Sequence, residues 1–320
     1  MEPRKIIKLG NSSYAIALPK DWVDKARLKK GDSVYVLENA NGELILTSKY
    51  AENNRNKTKE FNLANLDKRS IVNQLRSAYV QDNDILEIKG ITRENKNIVK
   101  EILQQEMIGF EIIESKDNNI IMKDFFNIQE VHLESFLRKM DNSIRSMLED
   151  LNSLIQKYPA KEKEVLEMYN ADQDVNKFYL LITRILFKGL DNPSLLNTLK
   201  LDLRQLFHHW WVAFNLEHIA DEIKRFTSIL KEGDLKKNKL GVVDALFRKI
   251  QDTYINSLNF YYKKETQLGK VSLENTDTIR QMLEKYSQKE QGFMREICSR
   301  LSSVNRSLYE INKIIFYGLT

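Results

Sequence analysis

The stretch LGNSSYAIALPKDWVDKARLKKGDSVYVL, residues 9 to 37, decides the fold of the N-terminal region. It places a Gly-Asn-Ser-Ser turn, a Pro-Lys step, a short helix and a Lys-Lys-Gly-Asp turn between two apolar alternations. Apolar alternation bounded by turn residues is typical of short strands. With its flanks, the stretch predicts a domain of four strands and one helix over residues 1–48. We expect strands at Lys5–Leu9, Tyr14–Leu18, Ser33–Leu37 and Glu43–Thr47, a helix at Lys20–Ala26 and a hairpin turn at Asn41–Gly42.

Charge and size set this front domain apart from the rest of the chain. Residues 1–30 hold eight Lys or Arg and three acidic residues, whereas the whole chain of 320 residues has a net charge of +5. The positive field therefore belongs to the front domain. Domains of about 40 to 60 residues rarely fold alone without a staple, and residues 1–48 contain no cysteine. We expect the domain to pair with its copy from a second chain, which would place two basic surfaces symmetrically.

Residues 4–47, RKIIKLGNSSYAIALPKDWVDKARLKKGDSVYVLENANGELILT, closely resemble the AbrB/MazE/SpoVT swapped-hairpin DNA-binding domain. The resemblance implies that two chains interleave their hairpins and that the basic strand and turn contact the backbone and major groove of double-stranded DNA. Lys and Arg neutralise phosphates there, and Asn and Ser reach base edges or phosphate oxygens. The alternative is an ordinary solvated rim. The resemblance places on the DNA surface Arg4, Lys5, Lys8, Asn11, Ser12 and Ser13, together with Lys20 and Arg27.

The composition of the whole chain indicates a multidomain, mainly α protein. Four prolines and eleven glycines are few for this length, and helix-forming residues dominate. The single Cys298 lies in an apolar pattern and is predicted to be a core residue. We see no signal-peptide pattern and no apolar window of about 18 residues, so we expect a cytoplasmic protein that is not embedded in a membrane.

Residues 49–127 read as a linker followed by a small α/β module. The stretch 49–60, KYAENNRNKTKE, is polar and aperiodic, which is typical of a linker. Over 61–127 the pattern predicts helices at Lys68–Val80 and Arg93–Glu106, a strand at Asp84–Lys89 and a hairpin. The sequence contains no glycine-rich phosphate loop and no nucleophile with a base nearby, so we expect no catalysis. Residues 106–124, EMIGFEIIESKDNNIIMKD, resemble the segment that precedes the helical part in archaeal PhoU-like proteins, which implies a connecting or sensing module.

From Ile128 onward the apolar spacing is helical, which predicts about six long helices. Breaks are expected near Pro159, Asn192-Pro193, Gly233–Gly241, Gly269 and Gly292. FLRKMDNSI (136–144) and LFRKIQDTY (246–254) align at an offset of 110, which indicates two copies of a three-helix unit, residues 128–232 and 241–320.

An acidic pair marks the helix around residues 215–226, NLEHIADEIKRF. Glu217 and Asp221 are four residues apart and share a helix face, where like charges cost a few tenths of a kcal/mol unless a cation bridges them. Two interpretations stay open. The pair is either a solvated acidic face, with Lys224 and Arg225 pairing with Asp221, or a set of oxygen ligands for a divalent or ferric metal ion.

LEHIADEI and ADQDVNKFYLLITRIL (171–186) resemble the PhoU signature, in which such carboxylates bind metal clusters. The resemblance implies a pair of three-helix bundles and a metal site at Glu217, Asp221 and Asp172. Asn176 stands where the family has a second acid beside Asp172. In the last helix Asn305 and Tyr309 stand where the second copy would carry its acids, so we expect only one metal site.

The two resemblances occur together in archaeal PhoU-like phosphate uptake regulators. They imply a homodimeric transcriptional regulator whose swapped N-terminal domain holds DNA and whose helical part senses or relays phosphate status. A phosphate transporter subunit or sensor protein is an expected partner. One alternative is an adaptor that docks on such a transporter or sensor kinase, with the front domain serving mainly to dimerise. Another is a carboxylate-bridged metalloenzyme, which would need two complete acidic pairs, whereas the sequence has one.

Overall fold

The computed structural model describes residues 3–38, 42–48, 57–159, 162–232 and 237–319. The chain divides into two compact units, Met1–Arg55 and Asn56–Thr320.

The first unit contains two separate hairpins and one short helix. Strands β1 (Ile6–Leu9) and β2 (Ser13–Ile16) pair antiparallel, with Ile6 opposite Ile16. Helix α1 (Lys20–Lys25) follows Pro19, and β3 (Tyr35–Glu38) pairs antiparallel with β4 (Leu44–Thr47). The four predicted strands and the helix are confirmed, with ends that differ by a few residues. Asn41 of the expected turn lies outside the described residues.

No side chain described in the first unit is buried. Instead, large apolar side chains on the strands are exposed to solvent in a single chain: Tyr14 is 71% exposed and Leu44 is 66% exposed. The same holds for Ile6, Ile7, Leu9, Ile16 and Val36. Burying one such side chain is worth about 1.5–3 kcal/mol, so a single copy leaves most of the stabilisation of its strands unused.

The second unit begins with an α/β module built on a four-stranded sheet. Its elements are β5 (Thr58–Asn62), α2 (Lys68–Val80), β6 (Ile85–Lys89), α3 (Arg93–Glu106), β7 (Phe110–Lys116) and β8 (Asn119–Asp124). The sheet has the order β5-β6-β8-β7, with β5 parallel to β6 and the other pairs antiparallel. Helices α2 and α3 begin at N-caps whose side chains accept backbone N–H groups, Asp67 from Ser70 and Thr92 from Asn95.

The position of β5 corrects the predicted linker. Residues 58–60 were expected within the linker 49–60, but they pair with the buried strand β6. The sequence TKEFN carries no apolar alternation because β5 is an edge strand whose side chains are mostly exposed. Residues 49–56 of the predicted linker lie outside the described residues.

The remainder of the second unit is helical and forms two three-helix groups. The helices are α4 (Leu133–Gln156), α5 (Glu162–Asp191), α6 (Pro193–Leu199), α7 (Leu203–Glu232), α8 (Lys237–Lys263), α9 (Thr266–Lys289) and α10 (Phe293–Leu319). Helices α4, α5 and α7 pack against one another, as do α8, α9 and α10, and the groups meet through α7 with α10 and α4 with α8. The predicted pair of three-helix bundles is confirmed, and the short helix α6 lies between α5 and α7 in the chain.

One expected helix break is misplaced, and another ends earlier than expected. Gly269 lies inside α9, and the chain turns earlier, at Lys264, whose φ is +58°. Gly269 is instead a packing position, since a Cβ there would lie 2.4 Å from the ring of Phe260. The break expected over Gly233–Gly241 is confirmed at its start, since α7 ends at Glu232, but α8 already begins at Lys237 and contains Gly241.

Candidate DNA-binding surface and acidic cluster

The β1–β2 hairpin brings six of the predicted DNA-contacting residues together. Arg4, Lys5 and Lys8 lie on or just before β1, and Asn11, Ser12 and Ser13 form the turn and the start of β2. Gly10 has φ +67° and lets the chain reverse there. All six side chains are exposed, and the sequence from Arg4 to Lys20 contains no acidic residue. The hairpin therefore presents exposed cationic, amide and hydroxyl side chains without an acidic neighbour between Arg4 and Lys20.

Lys20 and Arg27 lie apart from the hairpin in the chain. Lys20 opens α1 and Arg27 follows its last turn, with φ +55°. Both side chains are exposed. Their role in DNA binding stays a prediction.

The acidic residues predicted on two helices of the first three-helix group do meet. Asp172 lies on α5 and Asp221 on α7, and the ammonium of Lys224 lies between their carboxylates. Lys224 Nζ donates to Asp172 Oδ2 at 2.5 Å and to Asp221 Oδ1 at 2.6 Å. Arg225 Nη2 donates to the other oxygen of Asp221 at 2.9 Å. These are the pairings that the interpretation as a solvated acidic face predicts for Asp221, but Lys224 also pairs with Asp172, which is buried rather than solvated.

Burial makes the acidic cluster electrostatically costly. Asp172 is only 3% exposed, and burial raises its pKa against the opposing effect of Lys224. Burial, followed by the charges of Asp221 and Asp172, raises the pKa of Glu217 to about 7. Asp172 Oδ1 is buried without a hydrogen-bond partner. Asp172 and Asp221 thus share one site around Lys224, and Glu217 is close enough for its pKa to respond to their charges.

The charges of the cluster also act on an arginine of the α/β module. The pKa of Arg76, on α2, is raised first by its hydrogen bond to Glu106 and also by the charges of Glu217 and Asp172. Module and bundle therefore share the electrostatics of this site.

The carboxylates of Asp172, Glu217 and Asp221 are the candidate ligands for a metal ion. Three carboxylates are suitable in chemistry, but the space between Asp172 and Asp221 already holds the Lys224 ammonium. In the part of the chain that the structure describes, no three His, Cys, Asp or Glu side chains converge as metal ligands. The residues as arranged do not fit the ion, and no step of the function is assigned to a metal.

The corresponding place in the second group carries no acidic pair. Asn305 on α10 is buried, and its Nδ2 donates to the carbonyl of Thr276 on α9 at 2.8 Å. Its Oδ1 has no partner, and Tyr309 is partly exposed. A cavity of about 540 Å³ lies here, lined by Thr276, Arg280, Asn305, Arg306, Tyr309 and Glu310 among others.

Sequence reasoning missed a buried arginine that joins the module to the bundle. Arg184 on α5 is only 4% exposed at its side chain, and its Nη2 donates to Asp124 Oδ2 at 2.6 Å. Its guanidinium also lies 5.0 Å from the ring centre of Tyr79 and 5.1 Å from that of Phe110. The signal was present in LLITRILF, where one arginine interrupts an apolar run.

The helices in the described part of the chain all lack the combination of length and hydrophobicity that a bilayer crossing needs.

Comparison with known families matches two parts of the chain. Residues 7–53 match the family described as antidote-toxin recognition MazE, bacterial antitoxin, and this range includes all predicted DNA-contacting residues except Arg4 and Lys5. Residues 137–229 match the PhoU domain, and this range includes Asp172, Glu217 and Asp221. The comparisons with curated proteins and with solved structures found no match. The chain therefore carries a MazE-type domain in its first unit and a PhoU domain in its second, both of them regulatory kinds of domain.

Proposed function

We propose that the protein is a cytoplasmic, homodimeric DNA-binding regulator of phosphate uptake. The observation that carries the proposal is the first unit itself, in which strands rich in apolar side chains enclose no buried residue among those described. Burial of these side chains needs a second surface of the same kind. Two copies that interleave their hairpins supply it.

Dimerisation would also bring two copies of the cationic β1–β2 hairpin to one DNA duplex. A two-fold pair presents two copies of the Arg4, Lys5 and Lys8 surface, which suits the two backbones of a DNA duplex. Phosphate contacts from these cations position the dimer, and Asn11, Ser12 and Ser13 are near enough in the turn to contact base edges.

The second unit is proposed to sense or relay phosphate status. Its PhoU match supports a role in phosphate regulation, and the α/β module is fixed to the bundle by the Arg184 pair with Asp124. A phosphate transporter subunit or a sensor protein is the partner we propose for it. The proposal assigns no catalytic step to either unit.

Salt-dependent binding of the full chain to a duplex from its own promoter region tests this function. The logarithm of affinity should fall steeply with the logarithm of salt concentration, because bound cations release counterions. Lys5→Ala and Lys8→Ala should each reduce the magnitude of that slope by about two, one for each copy of the lysine in the dimer. Lys163→Ala, at an exposed lysine of α5, is the matched control and should leave the slope unchanged.

The PhoU match also favours a second candidate, an adaptor that docks on a phosphate transporter or sensor kinase while its first unit only dimerises. Absence of DNA retention at low salt, with the dimer intact, would support the adaptor and contradict the regulator.

A further inference from the structure

We propose that Lys224 takes the place of a metal ion in the PhoU repeat of this chain, so that the acidic cluster is a metal-free clasp between α5 and α7. PhoU-type carboxylates are expected to hold an external cation, whereas here the cation belongs to the chain. The inference does not depend on DNA binding by the first unit.

The geometry of Lys224 supports this role. It follows Asp221 by three residues, so both side chains lie on the same face of α7. From there the ammonium reaches across to Asp172 on α5, with contacts of 2.5 Å and 2.6 Å to the two carboxylates. The ring of Tyr169, also on α5, lies 5.6 Å from Nζ and adds a cation–π contact. The ammonium is thus surrounded by groups that stabilise positive charge.

Charge balance argues against a metal ion beside this lysine. Lys224 and Arg225 already pair with the carboxylates of Asp172 and Asp221. A divalent ion at the same carboxylates would meet an ammonium within contact distance, and the two cations would repel strongly in a site of low dielectric constant. Either the lysine or the metal can occupy the position between the two helices.

The second three-helix group has a nitrogen donor at the equivalent position. Asn305 and Tyr309 correspond to Glu217 and Asp221, and the same offset of 88 places Asn312 at the position of Lys224. Asn312 is fully buried, and its Nδ2 donates to Ser257 on α8 at 2.8 Å and to Ser272 on α9 at 3.0 Å. In both groups a nitrogen donor at this position on the last helix ties that helix to its neighbours. The lysine is therefore part of a repeated structural role.

Thermal unfolding of the full-length chain, with and without added Mn²⁺ or Zn²⁺ after EDTA treatment, tests the proposal. The wild-type midpoint should not change with EDTA or with either metal, and the chain should retain no stoichiometric metal. Lys224→Ala should lower the midpoint by roughly 5–15 °C, because it leaves buried carboxylates uncompensated. Added metal should recover a large part of that loss and bind at about one ion per chain. Lys231→Ala, at a lysine of the same helix that pairs with Glu162, is the matched control and should behave as wild type.

Two further measurements keep the test decisive. If Lys224→Ala does not fold, Lys224→Gln, which keeps a polar side chain one atom shorter and without the charge, replaces it in the same experiment. Adding Asp172→Asn to the lysine variant should abolish the recovery by metal. Stoichiometric metal in the wild-type chain that is lost in Glu217→Gln would overturn the proposal, and so would a foldable lysine variant that neither loses stability nor takes up metal.

Discussion

The two units of the chain treat their apolar residues in opposite ways. In the second unit, the module and the helical part each enclose a contiguous core, and residues such as Leu75, Leu137 and Leu258 have no exposed surface. In the first unit, strand residues such as Ile6 and Ile7 remain exposed in a single copy. The second unit buries its apolar side chains within one chain. The first unit has the apolar side chains of a core but leaves them exposed in a single copy.

This difference in burial indicates that the first unit is the one that depends on a partner chain. A unit of about fifty residues cannot enclose its own apolar strands, whereas more than two hundred residues can build large cores. Loss of the partner should therefore disable the first unit and spare the second. The substitutions below separate effects on the first unit from effects on the second.

The largest effect is expected for Ile16→Asp in the first unit. Ile16 lies opposite Ile6 in the hairpin, and a carboxylate there would be buried without a partner in the dimer. DNA affinity should fall by roughly 10³–10⁴-fold, to the level of non-specific binding, as measured by fluorescence anisotropy. Leu166→Asp, at an exposed leucine of α5, should change neither affinity nor oligomeric state. Full affinity in Ile16→Asp would show that the strands are not a dimer surface.

Arg184→Ala should produce the next largest effect, confined to the second unit. Removal of the guanidinium leaves Asp124 without its buried partner, which typically costs about 3–5 kcal/mol. Urea unfolding followed by circular dichroism measures the loss. Arg280→Ala, at an arginine that is 57% exposed and pairs only within α9, should cost less than about 1 kcal/mol. Equal costs for the two variants would contradict a buried link between module and bundle.

A smaller and pH-dependent effect is expected at His209 on α7. Burial lowers the pKa of His209 to about 4, with Lys264 and His208 acting in the same direction and Glu134 against it. Its Nδ1 lies 2.6 Å from the hydroxyl of Tyr261. The folded state holds the imidazole neutral, whereas the unfolded chain takes up a proton below its ordinary pKa of 6.5. The contribution of His209 to the free energy of unfolding should therefore be constant above pH 6.5. It should fall by up to about 3 kcal/mol between pH 6.5 and 4.

His209→Asn isolates that contribution, because an amide oxygen can still accept the Tyr261 hydroxyl but does not titrate. The difference in unfolding free energy between wild type and variant should shrink as the pH falls from 6.5 to 4. Parallel stability curves for the two proteins across that range would refute the assignment.

Elements with strong local signals were predictable from the sequence. The four strands of the first unit follow alternation and turn residues, and the six long helices follow the apolar period. The acidic pair of Glu217 and Asp221 follows from spacing on one helix, as does the pairing of Asp221 with Lys224 and Arg225. Local patterns carry this information because the contacts involved are local in the chain.

Features that depend on distant contacts were not predictable in the same way. Strand β5 is recognisable only through its pairing with β6, since its own residues are polar. The reach of Lys224 to Asp172 joins residues 52 apart in sequence, and that of Arg184 to Asp124 joins residues 60 apart. The turn lies at Lys264 and not at Gly269, whose missing side chain instead leaves room for the ring of Phe260, a contact between two helices.

The mass of the full-length protein in solution decides whether the first unit completes its core with a second copy. Light scattering coupled to size exclusion should give twice the 37.6 kDa mass of one chain. The backbone amides of β1 to β4 should be protected from hydrogen exchange in that species and lose protection in Ile16→Asp. A monomer with all four strands protected would contradict dimerisation through the first unit, because it would show that one copy completes its own core.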